Sequence, residues 1–148
     1  METIRSTSSK QTEEAGECLG KTLKENTVVA LFGDLGAGKT AFTRGVVKGY
    51  GIDCRVSSPT FAIVNEYQNA DKTVYHFDMY RINDIEDLYS TGYFDYLDTS
   101  SLIVIEWSEN IVSVLPDDCV RIYIEKTEDE NERIIKIERG DAREISGC

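Results

Sequence analysis

Apolar and polar positions divide this chain into short alternating strands and helices. Thr27–Phe32 is an almost unbroken apolar run bounded by turn chemistry, which predicts a strand buried on both faces. Leu102–Ile105 repeats the pattern later in the chain. Val120–Lys126 and Arg133–Glu138 alternate apolar with polar residues on either side of the charged stretch Thr127–Glu132, as a hairpin with one buried face would. Phe61–Tyr67 and Thr73–Asp78 flank the polar Gln68–Lys72 and predict a second hairpin. Ala15, Cys18, Leu19 and Leu23 recur at helical spacing within Gln11–Lys24. Ala41–Tyr50 reads as a helix ended near Gly49 or Gly51, and Ile85–Tyr89 as a short one. Glu2–Arg5 opens the chain as a short strand, followed by a hydroxyl-rich turn at Ser6–Ser9. A buried strand passing straight into a helix, with strands of both kinds elsewhere, predicts an α/β fold with a mixed parallel and antiparallel sheet. No repeat or Pro/Ser-rich linker breaks the 148 residues, so one domain is expected, with residues 141–148 as a flexible tail.

Composition narrows the function. Apolar residues make up 41% and charged residues 29%, ordinary values for a folded domain. The formal net charge is −11, and a chain so acidic repels a nucleic-acid backbone overall. Any role concerning RNA is therefore expected to run through a partner protein. The longest apolar run, Val28–Phe32, falls far short of the roughly 20 residues that cross a bilayer. Met1–Gln11 is mostly polar, unlike a signal segment, so the expected location is the cytoplasm, away from membranes. Cys18, Cys54, Cys119 and Cys148 form no Cys-x-x-Cys pair, which argues against a zinc site or a disulfide framework. His76 is the only histidine, which removes His-rich metal sites and argues against a Ser–His–Asp system.

The chemistry concentrates after the first buried strand. Gly33-Asp34-Leu35-Gly36-Ala37-Gly38-Lys39-Thr40 satisfies G-x-x-x-x-G-K-[ST] in full, between a strand and a helix, where a phosphate-gripping P-loop needs it. Glycines at 33, 36 and 38 let successive amides curl around phosphate oxygens, and the following helix aims its positive dipole end at the same anion. In that reading Lys39 reaches the terminal phosphates and the Thr40 hydroxyl ligates Mg²⁺. An acidic residue at the end of a neighbouring strand completes such a site. Glu106, after Leu102–Ile105, and Asp78, after Val74–Phe77, are the candidates. One would hold Mg²⁺ and the other would orient the attacking water; the bland alternative for each is an exposed strand-end charge. Ser57-Ser58-Pro59-Thr60 is either a switch segment over the phosphates or a plain turn into a strand. Arg81 either stabilises transition-state charge or forms a surface ion pair. Trp107 is read as a packing residue.

Four motifs in order, GDLGAGKT at Gly33–Thr40, SPTF at Ser58–Phe61, HFDMYR at His76–Arg81 and EW at Glu106-Trp107, resemble the bacterial TsaE family, also called YjeE. The resemblance runs from the first helix to the final hairpin. Its departures are Ala41, where many members have a second Thr, and Met79, where Leu is common. It implies a compact P-loop NTPase with helices on both faces of a mixed sheet. The implied activity is Mg²⁺-dependent ATP hydrolysis, weak alone and raised by partners, required for threonylcarbamoyladenosine in tRNA. Family roles would fall on Lys39 for phosphate, on Thr40 and Glu106 for Mg²⁺, and on Asp78 for catalysis or the metal shell. Thr12 and Arg133 match positions on the adenine side. The implied partners are proteins of the TsaB and TsaD type, which carry out the transfer, with tRNA met only indirectly.

Other classes are weighed against this. A small GTPase would need an Asn-Lys-x-Asp element and an Asp-x-x-Gly switch, and neither occurs. A nucleotide or metabolite kinase would need a lid and an acceptor pocket, for which the chain has little spare length. A nucleotide-dependent binding module with incidental hydrolysis would use the same loop and stays open at this level.

Overall fold

The computed structural model describes residues 1–34, 36–59 and 63–140; Leu35 of the P-loop, Phe61 of the first predicted hairpin and the predicted tail 141–148 lie outside them. Strand β2 (Thr27–Phe32) sits in the middle of a seven-stranded sheet and is buried from Val28 onward. The other strands are β1 (Glu2–Ser6), β3 (Val64–Gln68), β4 (Thr73–Asp78), β5 (Leu102–Glu106), β6 (Val120–Lys126) and β7 (Arg133–Arg139). They lie in the order β1-β7-β6-β2-β5-β4-β3. The central β6, β2, β5 and β4 are mutually parallel, while β3 pairs with β4, and β7 with both β6 and β1, in antiparallel fashion. Both predicted hairpins therefore form, and the mixed sheet follows from them. Parallel strands need coverage on both faces, and a buried side chain stands at every position of β5 and of β2 from Val28 onward.

Helices α1 (Ser9–Gly20) and α2 (Lys39–Tyr50) cover one face. There Leu19, Phe42, Val46 and Val47 pack against Val29, Leu31, Leu102 and Val104. On the other face the short helices α3 (Ile85–Ser90) and α4 (Tyr93–Tyr96), with a 3₁₀ segment at Ser108–Val114, bring Leu88, Tyr93 and Ile111 onto Ala30, Phe77, Ile103 and Ile105. Period-two alternation sorts each strand between the two layers. Among the described residues, Cys18, Cys54 and Cys119 form no disulfide. Among the described residues, no helix is long and apolar enough to cross a membrane.

Local differences from the sequence expectation fall in helices α1, α2 and α4 and in the 3₁₀ segment. Helix α1 starts before Gln11 because Ser8 caps it, its hydroxyl accepting from the Gln11 amide at 3.1 Å. It stops at Gly20, where the Thr22 and Leu23 amides turn back to Leu19 and Gly20 instead of continuing to Lys24. Helix α2 starts at Lys39, two residues before the predicted Ala41. Helix α4 and the 3₁₀ segment are too short for apolar periodicity to announce them.

Helices α1 and α2 touch through glycine. A Cβ built on Gly45 would stand 1.9 Å from the Glu13 carbonyl oxygen, and one on Gly16 would stand 2.2 Å from the Phe42 carbonyl oxygen. Gly20 and Gly49 extend the same seam one turn along each helix. Helical glycine costs about 1 kcal/mol against alanine, so this seam is kept for backbone approach and against propensity. Replacing Gly45 by Ala should therefore lower stability: overpacking costs about 1–3 kcal/mol, and helix propensity returns only about 1 of it. A thermal melt should drop by several degrees, at about 2–4 °C per kcal/mol for a chain of this size. An unchanged or higher melting temperature would contradict the close packing.

Candidate functional site

The P-loop leaves the end of β2 and enters α2 as the sequence predicts. Gly36 and Gly38 have φ of +76° and +106°, a left-handed geometry that side-chain-bearing residues rarely adopt. Gly38 is the N-cap of α2 and supplies no side-chain cap, so the orphan amides of the first turn are left for a ligand. The carbonyl of Asp34 accepts the Ala37 amide at 3.0 Å, closing the loop on itself. Arg133 grips the outside of the turn, its Nε donating to the Ala37 carbonyl at 3.0 Å and its Nη2 to the Gly36 carbonyl at 3.3 Å. In a trans peptide N–H and C=O point opposite ways, so this grip turns the Gly38 amide away from Arg133. Gly33 packs so closely on β6 that a Cβ there would meet the Ile124 carbonyl oxygen at 2.6 Å.

Lys39 is buried at the base of the site, 5% exposed. Its Nζ donates to the Gly33 carbonyl and lies 3.5 Å above the centre of the Trp107 ring. Burial pushes the ammonium pKa below the usual lysine value, while the charges of Glu109, Glu106, Asp78 and Asp34 pull it the other way. Trp107 holds its ring there from a left-handed backbone, φ +59°, a strained geometry of the kind found at functional sites. Tyr80 leans on it at 5.0 Å between ring centres.

The acidic side comes from two neighbouring strands. β4 and β5 pair in a register that sets Asp78 directly against Glu106. Glu106 is 3% exposed, and its Oε1 lies 3.4 Å from the Thr40 hydroxyl, which donates to it. Asp78 accepts from the Tyr80 amide at 2.9 Å and from the Ser58 hydroxyl at 3.4 Å. Lys39, Thr40, Asp78, Glu106, Arg81 and Trp107 line one cavity of about 520 Å³. The sequence motifs thus converge although they are scattered along the chain. Among the described residues no group of three His, Cys, Asp or Glu side chains could hold a metal ion by itself. Mg²⁺ prefers oxygen donors, keeps several waters and shares phosphate oxygens, and the Thr40 hydroxyl beside the Glu106 carboxylate is a donor pair of that kind.

A smaller cavity of about 200 Å³ adjoins the loop, lined by Thr12, Gly36, Gly38, Asn131 and Arg133 among others. Thr12 comes from α1, buried, with its hydroxyl 2.8 Å from that of Ser6. Its methyl group would lie 3.6 Å from a Cβ on Gly38, and Thr12 and Arg133 border the same small cavity beside the P-loop.

Comparisons with known proteins decide the family. The family described as threonylcarbamoyl adenosine biosynthesis protein TsaE matches residues 6–135. The chain belongs to the TsaE family. It is 46% identical to the tRNA threonylcarbamoyladenosine biosynthesis protein TsaE of Haemophilus influenzae over 69% of its own length and 65% of that protein, just under two thirds of that relative. It is 38% identical to the TsaE protein of Rickettsia prowazekii over 89% of its length and 91% of that protein. The crystal structure of YdiB from Bacillus subtilis superposes with a TM-score of 0.76 and 29% identity, over 93% of this chain and 84% of that one. The α/β fold expected of the TsaE resemblance is thus the fold observed.

Three side chains of this TsaE chain join the site without having been singled out for it. Glu109 caps the start of the loop, accepting the Gly33 amide at 2.9 Å. His76, fully buried, places Nε2 2.5 Å from Glu106 Oε2, and Tyr67 places its hydroxyl 2.9 Å from His76 Nδ1. The HFDMYR segment carried the only usable signal, a polar residue amid the apolar positions of β4.

Burial of Lys39 has a consequence for pH dependence. Because its pKa is depressed on folding, the folded chain sheds this proton before the unfolded chain does, and stability rises with pH on the way to the usual lysine value of 10.5. Measured by urea unfolding against Lys39→Met, the parent chain should gain relative stability between neutral and strongly alkaline pH. A gap that stays constant or moves the other way would contradict a desolvated ammonium.

Proposed function

We propose that this chain is a Mg²⁺-dependent ATP hydrolase that serves the threonylcarbamoyladenosine modification of tRNA. Its hydrolysis would reset or regulate a partner complex of the TsaB and TsaD type. The observation that carries the reading is the convergence of Lys39, Thr40 and Glu106 on one cavity at the N-terminus of α2. The loop amides and Lys39 would bind the phosphate chain, with Lys39 leaving the Gly33 carbonyl to do so. Thr40 and Glu106 would hold Mg²⁺, which when bound neutralises charge on the phosphate oxygens. Asp78, with its carboxylate on the same cavity, would orient the water. Thr12 and Arg133 would border the base side, where Arg133 also keeps the loop in shape. The relatives named for tRNA threonylcarbamoyladenosine biosynthesis support the pathway. The net charge of −11 suits a protein that leaves tRNA to its partners.

The fluorescence of Trp107, the only tryptophan, should respond to ATP or ADP with Mg²⁺ and far less to GTP. Lys39→Ala should cost at least about tenfold in ATP affinity, the order expected for a lost charge-assisted bond. Glu106→Gln should retain nucleotide while phosphate release stops, and partner proteins should raise the parental rate. Equal responses to ATP and GTP, or a Glu106→Gln protein releasing phosphate at the parental rate, would overturn the respective assignment.

A further inference from the structure

Beneath Glu106 lies a line of buried polar groups that the proposed hydrolysis does not use. His76 is fully buried on β4, and its ring nitrogens face two different partners. Nε2 is 2.5 Å from Glu106 Oε2, and Nδ1 is 2.9 Å from the Tyr67 hydroxyl. The same hydroxyl lies 3.0 Å from the Ser57 carbonyl, so its single proton has two acceptors within reach.

The available donors narrow the choice. A carboxylate oxygen can only accept, so the short contact at Nε2 requires a proton on that nitrogen. In the neutral ring with its proton on Nε2, Nδ1 is the acceptor and is served by Tyr67. The Ser57 carbonyl does not need that proton, because Asn65 Nδ2 donates to it at 3.0 Å. Burial raises the Tyr67 hydroxyl above its ordinary pKa, so the proton stays available to give. Every donor in the line then points toward Glu106.

We propose that Tyr67 and His76 are positioning residues for Glu106. Tyr67 donates to His76 Nδ1, His76 donates through Nε2 to Glu106 Oε2, and the fixed carboxylate keeps Oε1 turned to Thr40. The functional end of this relay rests on the reading of Thr40 and Glu106 as the Mg²⁺-holding pair. Outer partners of this kind fix the orientation of a ligating group, and their loss costs about 10–100-fold in metal affinity.

His76 is the only histidine in the chain, so its ring nitrogens can be assigned in a ¹⁵N NMR spectrum of the full protein without ambiguity. The expected spectrum has the proton on Nε2 and a bare Nδ1 that accepts a hydrogen bond. Tyr67→Phe should shift the Nδ1 resonance by removing that bond. A ring protonated on Nδ1, alone or together with Nε2, overturns the relay. The second arm reads ATP affinity from Trp107 fluorescence, with and without Mg²⁺. His76→Leu and Tyr67→Phe should lower the Mg²⁺ enhancement about tenfold or more and about threefold respectively, with metal-free affinity within about twofold. His76→Gln, whose amide nitrogen can stand in for Nε2, should restore most of the enhancement. Folding of each variant is checked by its melt, and Tyr67→Phe serves if His76→Leu does not fold. Full enhancement in Tyr67→Phe and His76→Leu overturns the positioning role. If the parent chain shows no Mg²⁺ enhancement, the metal reading fails instead, and the ring spectrum still decides the hydrogen-bonded line.

Discussion

A single ammonium group, Lys39 Nζ, organises the site. It is taken out of water at the end of β2, at a cost that its depressed pKa records. The charges of Glu109, Glu106, Asp78 and Asp34 act against that cost and offset part of it. The Trp107 face contributes about 0.5–2 kcal/mol more. Burial still prevails over the carboxylates in the direction of the pKa shift. A cation held in this way favours a ligand that brings negative charge into the same cavity. The left-handed turn at Trp107, the capping of Gly33 by Glu109 and the pairing of Asp78 with Glu106 all bear on this one group.

The sheet sets where these groups can stand. β2 is flanked by parallel neighbours, β5 on one side and β6 on the other, so the loop after it opens at the carboxyl ends of the strands. Ligands of α/β sheets gather at such a position. The glycine seam between α1 and α2 then draws Thr12 up to Gly38, and the β6–β7 hairpin delivers Arg133 to the carbonyl side of the loop. Elements from both ends of the chain thereby brace one short turn.

Much of this could be read in the sequence, for reasons that differ by element. Strands β2 and β5 are legible because burial on both faces forces uninterrupted apolar runs, and β6 and β7 because burial on one face forces alternation. The P-loop is legible because its chemistry fixes residue types at fixed spacing. The contacts of His76 and Glu109 are not, since each depends on a partner brought near only by the fold. Trp107 reads as packing because nothing in the string shows its backbone turning left-handed beneath Lys39. Gly16 and Gly20 stand four apart in the sequence, as do Gly45 and Gly49, yet they look like poor helix formers until two helices are seen to share them.

The register of β4 on β5 reaches beyond the local contacts. His76 and Asp78 lie two residues apart on one face, the face on which Val104 and Glu106 lie on the adjoining strand. One residue gained or lost between Thr73 and His76 would rotate both polar side chains into the opposite apolar layer and bring Phe77 round in their place. Substitutions can therefore vary this segment one side chain at a time, whereas a change in its length would exchange the two layers at a stroke. The polar turns, such as Gln68–Lys72 and Thr127–Glu132, carry no such constraint, because no face is at stake there.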